Sequence, residues 1–415
     1  MGEWREKTLG ELTSYIAKGI PPKYVEEAGQ NTIRVLNQKC NRNYRISYSE
    51  SRLHDNSAKK APTDKMLREF DVLINSTGTG TAGRVAQIWH VSEPTTLDGH
   101  MILMRPTAEI DPLYYGYAIK AFQAQIEGLA EGSTGQTEIN KRRLQDEIVI
   151  HYPVSLDEQK AIGIMLKAID EKIQNNENVN ENLEQQAQAL FQAMFITSES
   201  CSNWSLGTFS DLIESTLGGD WGKEAPSRNN SEMVYCIRGA DIPDVKAGNK
   251  GKMPTRYILP KNFSAKQLLP GDIVVEISGG SPTQSTGRVA AISQSLLSRY
   301  DKGMVCTNFC RAIKPKQGYS MFVYYYWQYL YDRNVFFSYE NGTTGIKNLD
   351  LSGFITTEEI VIPPVEYVKQ FDDYCQSIFD QTFANGLESE KLAALRDTLL
   401  PRLMSGELDV SNLDL

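Results

Sequence analysis

The sequence predicts an α+β fold: two duplicated mixed β/α domains separated by two long helices that form an antiparallel coiled coil, with pseudo-two-fold symmetry. Two observations predict it. The chain of 415 residues repeats its motifs once, with a period of roughly two hundred residues. Each repeat then ends in a long segment with the heptad spacing of apolar residues that is typical of paired helices.

The repeat consists of motifs that recur in the same order. Residues 70–88 read FDVLINSTGTGTAGRVAQI, and residues 271–292 read GDIVVEISGGSPTQSTGRVAAI. Residues 147–154 read EIVIHYPV, and residues 359–365 read EIVIPPV. The offset between matching residues changes only from 200 to 212 along the chain. One match could arise by chance, but the shared order indicates a tandem duplication.

The first part of each copy alternates short β-type runs with Gly, Pro, Asn and Ser turns, and helical stretches begin near Pro112 and Met321. The second part of each copy is a long helix. The predicted division is therefore 1–153 for the first domain, 154–198 for the first long helix, 199–363 for the second domain, and 364–415 for the second long helix with a C-terminal tail.

The first long helix begins at a capping box formed by Ser155 and Glu158. The second follows Pro363-Pro364, and Pro401 is expected to end or kink it before Gly406 stops it. Polar residues cluster at the middle of both stripes, where they are expected to fix the register of the pair, so that leucine there should stabilise the pair but loosen its alignment. The predicted contacts between the helices are Ile162, Leu166, Ile169, Ile173, Asn176, Asn180, Leu183, Leu190, Phe371, Ile378, Leu392 and Leu399.

Composition excludes several classes of protein. No apolar run is long enough to span a membrane, and the charged N-terminal residues do not form a signal peptide, so we expect a cytoplasmic protein. Six cysteines without a C-x-x-C pair and four scattered histidines predict reduced thiols and no metal site. The net charge of −9 lies on the two helices, which carry −4 and −6, whereas the two domains are nearly neutral. Because the two domains are nearly neutral, local basic patches on them can still attract an anionic partner.

The sequence contains a nucleotide-binding motif, but the residues that follow it do not have the structure that the motif requires. Gly78, Gly80 and Gly83 have the G-x-G-x-x-G spacing, but that fingerprint must open a helix, and RVAQIW reads as a strand. No nucleophile elbow, catalytic Cys/His pair or S-adenosylmethionine loop is visible. The sequence therefore predicts a chain that is not an enzyme and binds no cofactor.

Polar loops at matching places in both copies are the candidate binding sites. Small hydroxyls and free amides in Gly loops bind phosphate, Lys and Arg neutralise it, and Asn, Gln and Arg read base edges. A single such loop would more simply be a turn, but the recurrence favours binding. The predicted DNA-binding residues are Asn37, Lys39, Asn75, Ser76, Thr77, Thr79, Thr81, Arg84, Ser133, Thr134, Gln136, Thr137, Asn140, Lys141, Arg142 and Arg143 in the first copy, and Arg238, Ser278, Ser281, Thr283, Gln284, Ser285, Thr286, Arg288, Thr343, Thr344, Lys347 and Asn348 in the second.

Over essentially its whole length the chain resembles the specificity subunit of type I restriction–modification systems. LGEL near the start, DVLINSTGTGTAGRVA, STGQTEINKRRLQDEIVIHYPVSLDEQKAI, GTTGIKNLDLSGFITTEEIVIPP and LRDTLLPRLMSGELDV carry the resemblance. It implies two target-recognition domains that each read half of a bipartite site in double-stranded DNA. It also implies helices that dock modification (methyltransferase) subunits, with a restriction and translocation subunit attached indirectly. S-adenosylmethionine and ATP are then expected on those partners.

In one place the sequence departs from a simple duplication, since the second Gly/Ser loop is longer and contains Pro282, so its DNA contacts are expected to differ from those of the first. Two other functions stay open at this point. One is a non-catalytic scaffold whose duplicated domains bind proteins, and the other is a self-contained methyltransferase, which would need a cofactor loop.

Overall fold

The computed structural model describes residues 3–132, 137–281, 283–342, 346–408 and 410. The chain divides into two compact units, Met1–Glu171 with Ala393–Leu415 (unit 1) and Lys172–Leu392 (unit 2). Each unit therefore includes part of both long helices. The domain boundaries expected from the sequence, at residues 153, 198 and 363, stay a prediction.

Unit 1 is built from short strands that alternate with turns. Its main sheet is antiparallel in the order β2-β11-β8-β9, a second sheet has the order β10-β4-β7-β3, and β1 pairs with β14. The strands are β1 (Trp4–Thr8), β2 (Thr13–Lys18), β3 (Tyr24–Val25), β4 (Thr32–Leu36), β5 (Asn41–Arg42), β6 (Arg45–Ile46), β7 (Arg52–Asp55), β8 (Val72–Asn75), β9 (Val85–Gln87), β10 (Thr95–Leu97), β11 (Met101–Pro106), β12 (Ala130–Glu131), β13 (Glu138–Ile139) and β14 (Val149–Pro153). The helices are α1 (Pro112–Ala121), α2 (Gln123–Gly128), α3 (Lys141–Glu147) and α4 (Leu156–Phe195).

Unit 2 repeats this arrangement. Its main sheet has the order β16-β23-β19-β21, a second sheet has the order β18-β17-β22, and β15 pairs with β26. The strands are β15 (Ser205–Thr208), β16 (Ile213–Gly218), β17 (Glu232–Ile237), β18 (Thr255–Ile258), β19 (Ile273–Glu276), β20 (Ser278–Gly279), β21 (Val289–Ala291), β22 (Met304–Cys306), β23 (Cys310–Pro315), β24 (Glu340–Asn341), β25 (Lys347–Leu349) and β26 (Glu359–Ile362). The helices are α5 (Ile242–Lys246), α6 (Pro260–Lys266), α7 (Gln294–Leu297), α8 (Ser320–Asp332), α9 (Leu351–Thr357) and α10 (Val365–Met404).

Equivalent strands pair in the same register in the two units. Ile74 of β8 is opposite Val85 of β9, and Val275 of β19 is opposite Val289 of β21. The predicted fold class, duplicated mixed β/α domains with two long helices, is therefore confirmed. This register also makes Asn75 the structural equivalent of Glu276, and Arg84 the equivalent of Arg288.

The two long helices pack against each other within each unit. In unit 2, Asn176 of α4 donates to Ser389 Oγ of α10 at 3.3 Å, and Asn180 donates to the Thr382 carbonyl at 3.1 Å. Residues farther along α4 thus meet residues earlier in α10, which makes the pair antiparallel. In unit 1, Asp170 of α4 accepts from Arg396 of α10.

Each long helix contributes apolar residues to the core of its unit. Ile162 and Leu166 of α4 and Leu400 of α10 pack against the main sheet of unit 1, while Phe191 and Phe371 lie in the core of unit 2. Of the twelve predicted helix contacts, those that are buried are Ile162, Leu166, Ile173, Asn176, Asn180, Phe371 and Ile378, and those that are partly buried are Ile169, Leu183, Leu190, Leu392 and Leu399.

Of the two effects expected of Pro401, to end the helix or to kink it, the first does not occur. The helix continues through it to Met404. Pro401 is exposed and lies in the last turn, so the hydrogen bond that its missing N–H forfeits is close to the end of the helix. The chain leaves the helix at Gly406, which adopts a φ of 74° as the predicted stop requires. None of the helices in the described part of the chain is long and apolar enough to cross a membrane.

Candidate nucleic-acid interface

The first Gly loop of unit 1 follows β8, whose last residue is Asn75. Gly78, Gly80 and Gly83 adopt left-handed φ angles of 116°, 69° and 87°, and the Gly83 amide closes the loop by donating to the Asn75 carbonyl at 2.9 Å. A side chain at position 83 is excluded, because its Cβ would lie 2.6 Å from Cα of Glu127. The glycines therefore form a tight turn between two strands, as the sequence context predicted.

Only part of this loop is available to a ligand. Asn75 and Ser76 are fully buried, and the Asn75 side-chain amide donates to the Gln38 carbonyl at 3.1 Å. Thr77 is partly buried and hydrogen-bonds through Oγ1 to His100 Nδ1 at 2.8 Å. Thr79 is exposed. Among the predicted loop residues, Asn75 and Ser76 thus support the loop from inside.

Arg84 leaves this loop beside β9. Its Nη2 donates to the Gly80 carbonyl at 2.9 Å, and no ion pair among the described residues includes it. The side chain is half-buried. A guanidinium that is bonded to a neutral carbonyl keeps its full charge for an anion such as phosphate.

The other predicted residues of unit 1 divide into exposed and internally bonded groups. Asn37 and Asn140 both cap helical turns, since their side chains accept from Lys39 N at 2.8 Å and from Arg142 N at 3.0 Å. Lys39 is exposed. Arg143 forms ion pairs with Glu131 and Glu147.

The remaining predictions in unit 1 differ in how exposed they are. Arg142 is exposed and 3.4 Å from Asp146, while Thr137, Thr81 and Lys141 are partly buried. Ser133, Thr134 and Gln136 lie outside the described residues. Among the predicted cations of unit 1, Lys39 and Arg142 are therefore the exposed ones.

In unit 2 the equivalent arginine has a carboxylate partner. Arg288 donates from Nε and Nη2 to the two oxygens of Glu276, at 2.7 Å each, and Glu276 is buried. This bidentate pair raises the pKa of the Arg288 guanidinium. Because neutral Asn75 replaces Glu276 in unit 1, the two copies use the same arginine differently.

Two further cations of unit 2 are paired in the same way. Arg238 donates to both oxygens of Asp241, at 2.9 and 3.0 Å, and Lys347 lies 2.6 Å from Glu340. The same Glu340 accepts from the Thr286 amide at 2.6 Å, so Thr286 is buried and structural.

The hydroxyl and amide residues of the second Gly loop are mixed in exposure. Ser278 hydrogen-bonds to Asn348 across the β20–β25 pair, and the Ser281 amide donates to the Gln284 carbonyl at 2.7 Å. Thr283 and Gln284 are exposed, whereas Ser285 is buried. Thr343 and Thr344, like Pro282, lie outside the described residues.

A cleft of about 490 Å³ in unit 2 brings two predicted residues, Arg238 and Ser278, together with residues that sequence reasoning missed. Phe309, Ile346 and Trp221 line it and expose 58%, 63% and 37% of their surface. The signal that could have found Phe309 is the alignment of the two copies, which places TNFC in the same turn as DGHM. The residue type of Phe309 alone does not indicate that it belongs to a binding site.

The cysteines do not form a reactive site. Cys236 and Cys306 are buried, and burial raises the pKa of both thiols to about 12. A thiol that stays protonated near neutral pH is a poor nucleophile and a poor metal ligand. Among the described residues, no three His, Cys, Asp or Glu side chains converge as metal ligands would.

Comparison with known proteins fits this architecture. Residues 1–185 match the family described as the type I restriction modification DNA specificity domain. The chain is 24% identical to the type I restriction enzyme MjaIX specificity subunit of Methanocaldococcus jannaschii, over 99% of this chain and 95% of that protein. It is 21% identical to the type I restriction enzyme HindI specificity subunit of Haemophilus influenzae, over 98% of this chain and all of that protein.

A solved structure shares the fold. The S subunit of a type I restriction-modification system from M. genitalium superposes with a TM-score of 0.56 at 17% identity, and the match covers 97% of this chain and 96% of that one. The whole chain therefore has the fold of that S subunit, and residues 1–185 match a DNA specificity domain. Over nearly its whole length the chain is similar to type I specificity subunits, and the resemblance that its motifs indicated is confirmed.

Proposed function

We propose that this chain is the non-catalytic subunit that selects the DNA target of a type I restriction–modification complex. Each unit binds one half of a bipartite site in double-stranded DNA, and partner subunits supply S-adenosylmethionine, ATP and the chemistry. The observation that carries the proposal is a Gly loop followed by an arginine after each of two equivalent strands, β8 and β19, in a chain whose first 185 residues match a DNA specificity domain.

The first loop of unit 1 suits a phosphate contact. Its glycines allow the backbone amides to approach an oxygen closely, Thr79 is exposed, and Arg84 carries a charge that no carboxylate among the described residues neutralises. Phosphate contacts of this kind fix the orientation of a protein on the duplex, while base contacts supply the sequence information.

The long helices suit a protein partner. Leu156 and Ile164 on α4 and Val365 and Tyr367 on α10 are exposed apolar side chains, and the helical segments are acidic overall. An exposed apolar side chain gains free energy when a protein partner covers it. An acidic surface repels DNA, so the helices favour a modification subunit as their partner rather than the duplex.

The experiment that tests the proposal is co-expression of the full chain with a type I modification subunit in a host that lacks adenine methylation, followed by mapping of methylated adenines. We expect methylation within one split motif that has two defined halves and an undefined spacer. Methylation that does not depend on the chain, or that occurs in one continuous motif, would contradict the proposal. A protein-binding scaffold would leave the methylation pattern unchanged.

A further inference from the structure

The cleft of unit 2 presents to solvent an aromatic side chain whose main chain is held in place. Phe309 lies in the turn between β22 and β23, which the Cys310 amide closes by donating to the Thr307 carbonyl at 3.0 Å. The Phe309 carbonyl accepts from the Ile277 and Ser278 amides at 2.9 and 3.2 Å. The main chain is thus held on both sides, although the side chain is 58% exposed and no ring pair among the described residues includes it.

The surroundings of Phe309 extend this apolar surface. Ile346 is 63% exposed, and Trp221 is covered on one face by the guanidinium of Arg256 at 3.9 Å from the ring centroid. The wall of the same cleft includes Ser278 and Arg238, which the sequence marked as DNA-binding. The apolar surface is therefore continuous with the candidate DNA interface.

Unit 1 has a polar residue at the equivalent place. The Ser76 amide donates to the His100 carbonyl at 2.8 Å, as the Ile277 amide does to that of Phe309, so His100 is the structural equivalent of Phe309. His100 is exposed and hydrogen-bonds through Nδ1 to Thr77. The duplicated turn therefore presents an imidazole in one unit and a phenyl ring in the other.

We propose that Phe309 is a specificity-determining residue that contacts the 5-methyl group of a thymine in the half-site bound by unit 2. This rests on the proposed function and deepens it. The base edges in the major groove carry hydrogen-bond donors and acceptors, and the thymine methyl is the apolar group among them. A phenyl ring flanked by Ile346 and Trp221 has no hydrogen bond to offer such an edge, so the methyl group is the base feature that it can select.

The test uses DNA duplexes in which each thymine of the methylated split site is replaced in turn by deoxyuridine, which lacks only that methyl group. Affinity is measured for the full chain in complex with the modification subunit, with wild type, Phe309→Ala, and Leu206→Ala as a matched control. Leu206 is 70% exposed on β15 and does not line the cleft. At one position in the unit 2 half-site we expect deoxyuridine to weaken wild-type and Leu206→Ala binding about fourfold, the effect of one buried methyl group.

In Phe309→Ala the same deoxyuridine should have no effect, and unmodified DNA should bind about as weakly as deoxyuridine DNA binds to the wild type. Equal deoxyuridine effects in wild type and Phe309→Ala at every position would overturn the thymine contact. So would 2-aminopurine fluorescence that rises on binding only when Phe309 is present, because that would indicate a wedge between base pairs. Failure of the wild-type complex to bind any split duplex would instead refute the proposed function itself.

Discussion

Arg288 and Glu276 form a bidentate ion pair, with two N–O distances of 2.7 Å, at the position where the first unit places Arg84 and the neutral Asn75. The duplication has therefore kept the arginine after the Gly loop in both units and changed its partner. A carboxylate holds the Arg288 guanidinium, whereas the Arg84 guanidinium is bonded only to the Gly80 carbonyl among the described residues. The two arginines form a natural pair for separating DNA binding from stability.

Arg84→Ala is expected to weaken DNA binding and to reduce its dependence on salt. Loss of one phosphate contact removes one released counterion, so the slope of log affinity against log salt should fall by about 0.9. The measurement is the affinity of the full complex for its split site at several salt concentrations. An unchanged slope would show that Arg84 does not contact phosphate.

Arg288→Ala is the matched control for that experiment and has its own expected result. It should leave the salt slope nearly unchanged and lower the free energy of unfolding by about 3 kcal/mol, because the buried Glu276 carboxylate loses its partner. Denaturant unfolding measures this loss. A salt slope that falls as much as in Arg84→Ala, with no loss of stability, would assign Arg288 to the DNA instead.

Asn180→Leu is expected to destabilise unit 2, which reverses the expectation from heptad spacing alone. Asn180 accepts from the Asn385 side chain at 2.8 Å and donates to the Thr382 and Ala247 carbonyls at 3.1 Å each. Leucine would remove all three hydrogen bonds, and the buried Asn385 side-chain amide would lose its acceptor. We expect the free energy of unfolding to fall by about 3 kcal/mol, measured with urea.

The control for this change is Asn182→Leu, at an exposed position of the same helix. That variant should stay within about 0.5 kcal/mol of wild type. A more stable Asn180→Leu protein would mean that the apolar seam outweighs the hydrogen bonds.

Lys120 is expected to make the stability of unit 1 depend on pH. Burial lowers the pKa of Lys120 to about 8. The Asp170 carboxylate, 3.4 Å from the Lys120 nitrogen, raises this pKa, whereas the positive charge of Arg396 lowers it further. The Tyr44 ring lies 4.3 Å from the same nitrogen. The unfolded chain holds this proton up to its ordinary pKa near 10.4. Between about pH 8 and 10 the unfolded state thus binds more protons, so this group makes the folded state more stable as pH rises.

Thermal unfolding at pH 7.5 and 9.5 tests this expectation. The rise in melting temperature from the lower to the higher pH should be smaller in Lys120→Met than in wild type, while Lys160→Met, at an exposed position of α4, should follow wild type. Identical pH dependence in Lys120→Met and wild type would show that Lys120 keeps its ordinary titration.

The elements of the fold that depend on local sequence patterns were predicted from the sequence. The heptad spacing and the caps located both long helices, and the repeated strand–loop–strand motif located the duplicated sheets. It did not predict the pairing of Arg288 with Glu276 or the burial of Asn75 and Ser76, because these depend on which strands meet. Phe309 was missed for another reason: an apolar residue in a turn becomes informative when the two copies are aligned or when the structure shows that its ring is exposed.

Under the proposed function, each duplicated domain reads its own half of one DNA target. The decisive experiment exchanges residues 1–153 for the corresponding domain of a specificity subunit with a different target and maps methylated adenines in cells that express the modification subunit. We expect a new split motif in which one half changes and the other half is that of the original chain. A motif that changes in both halves, or in neither, would contradict it.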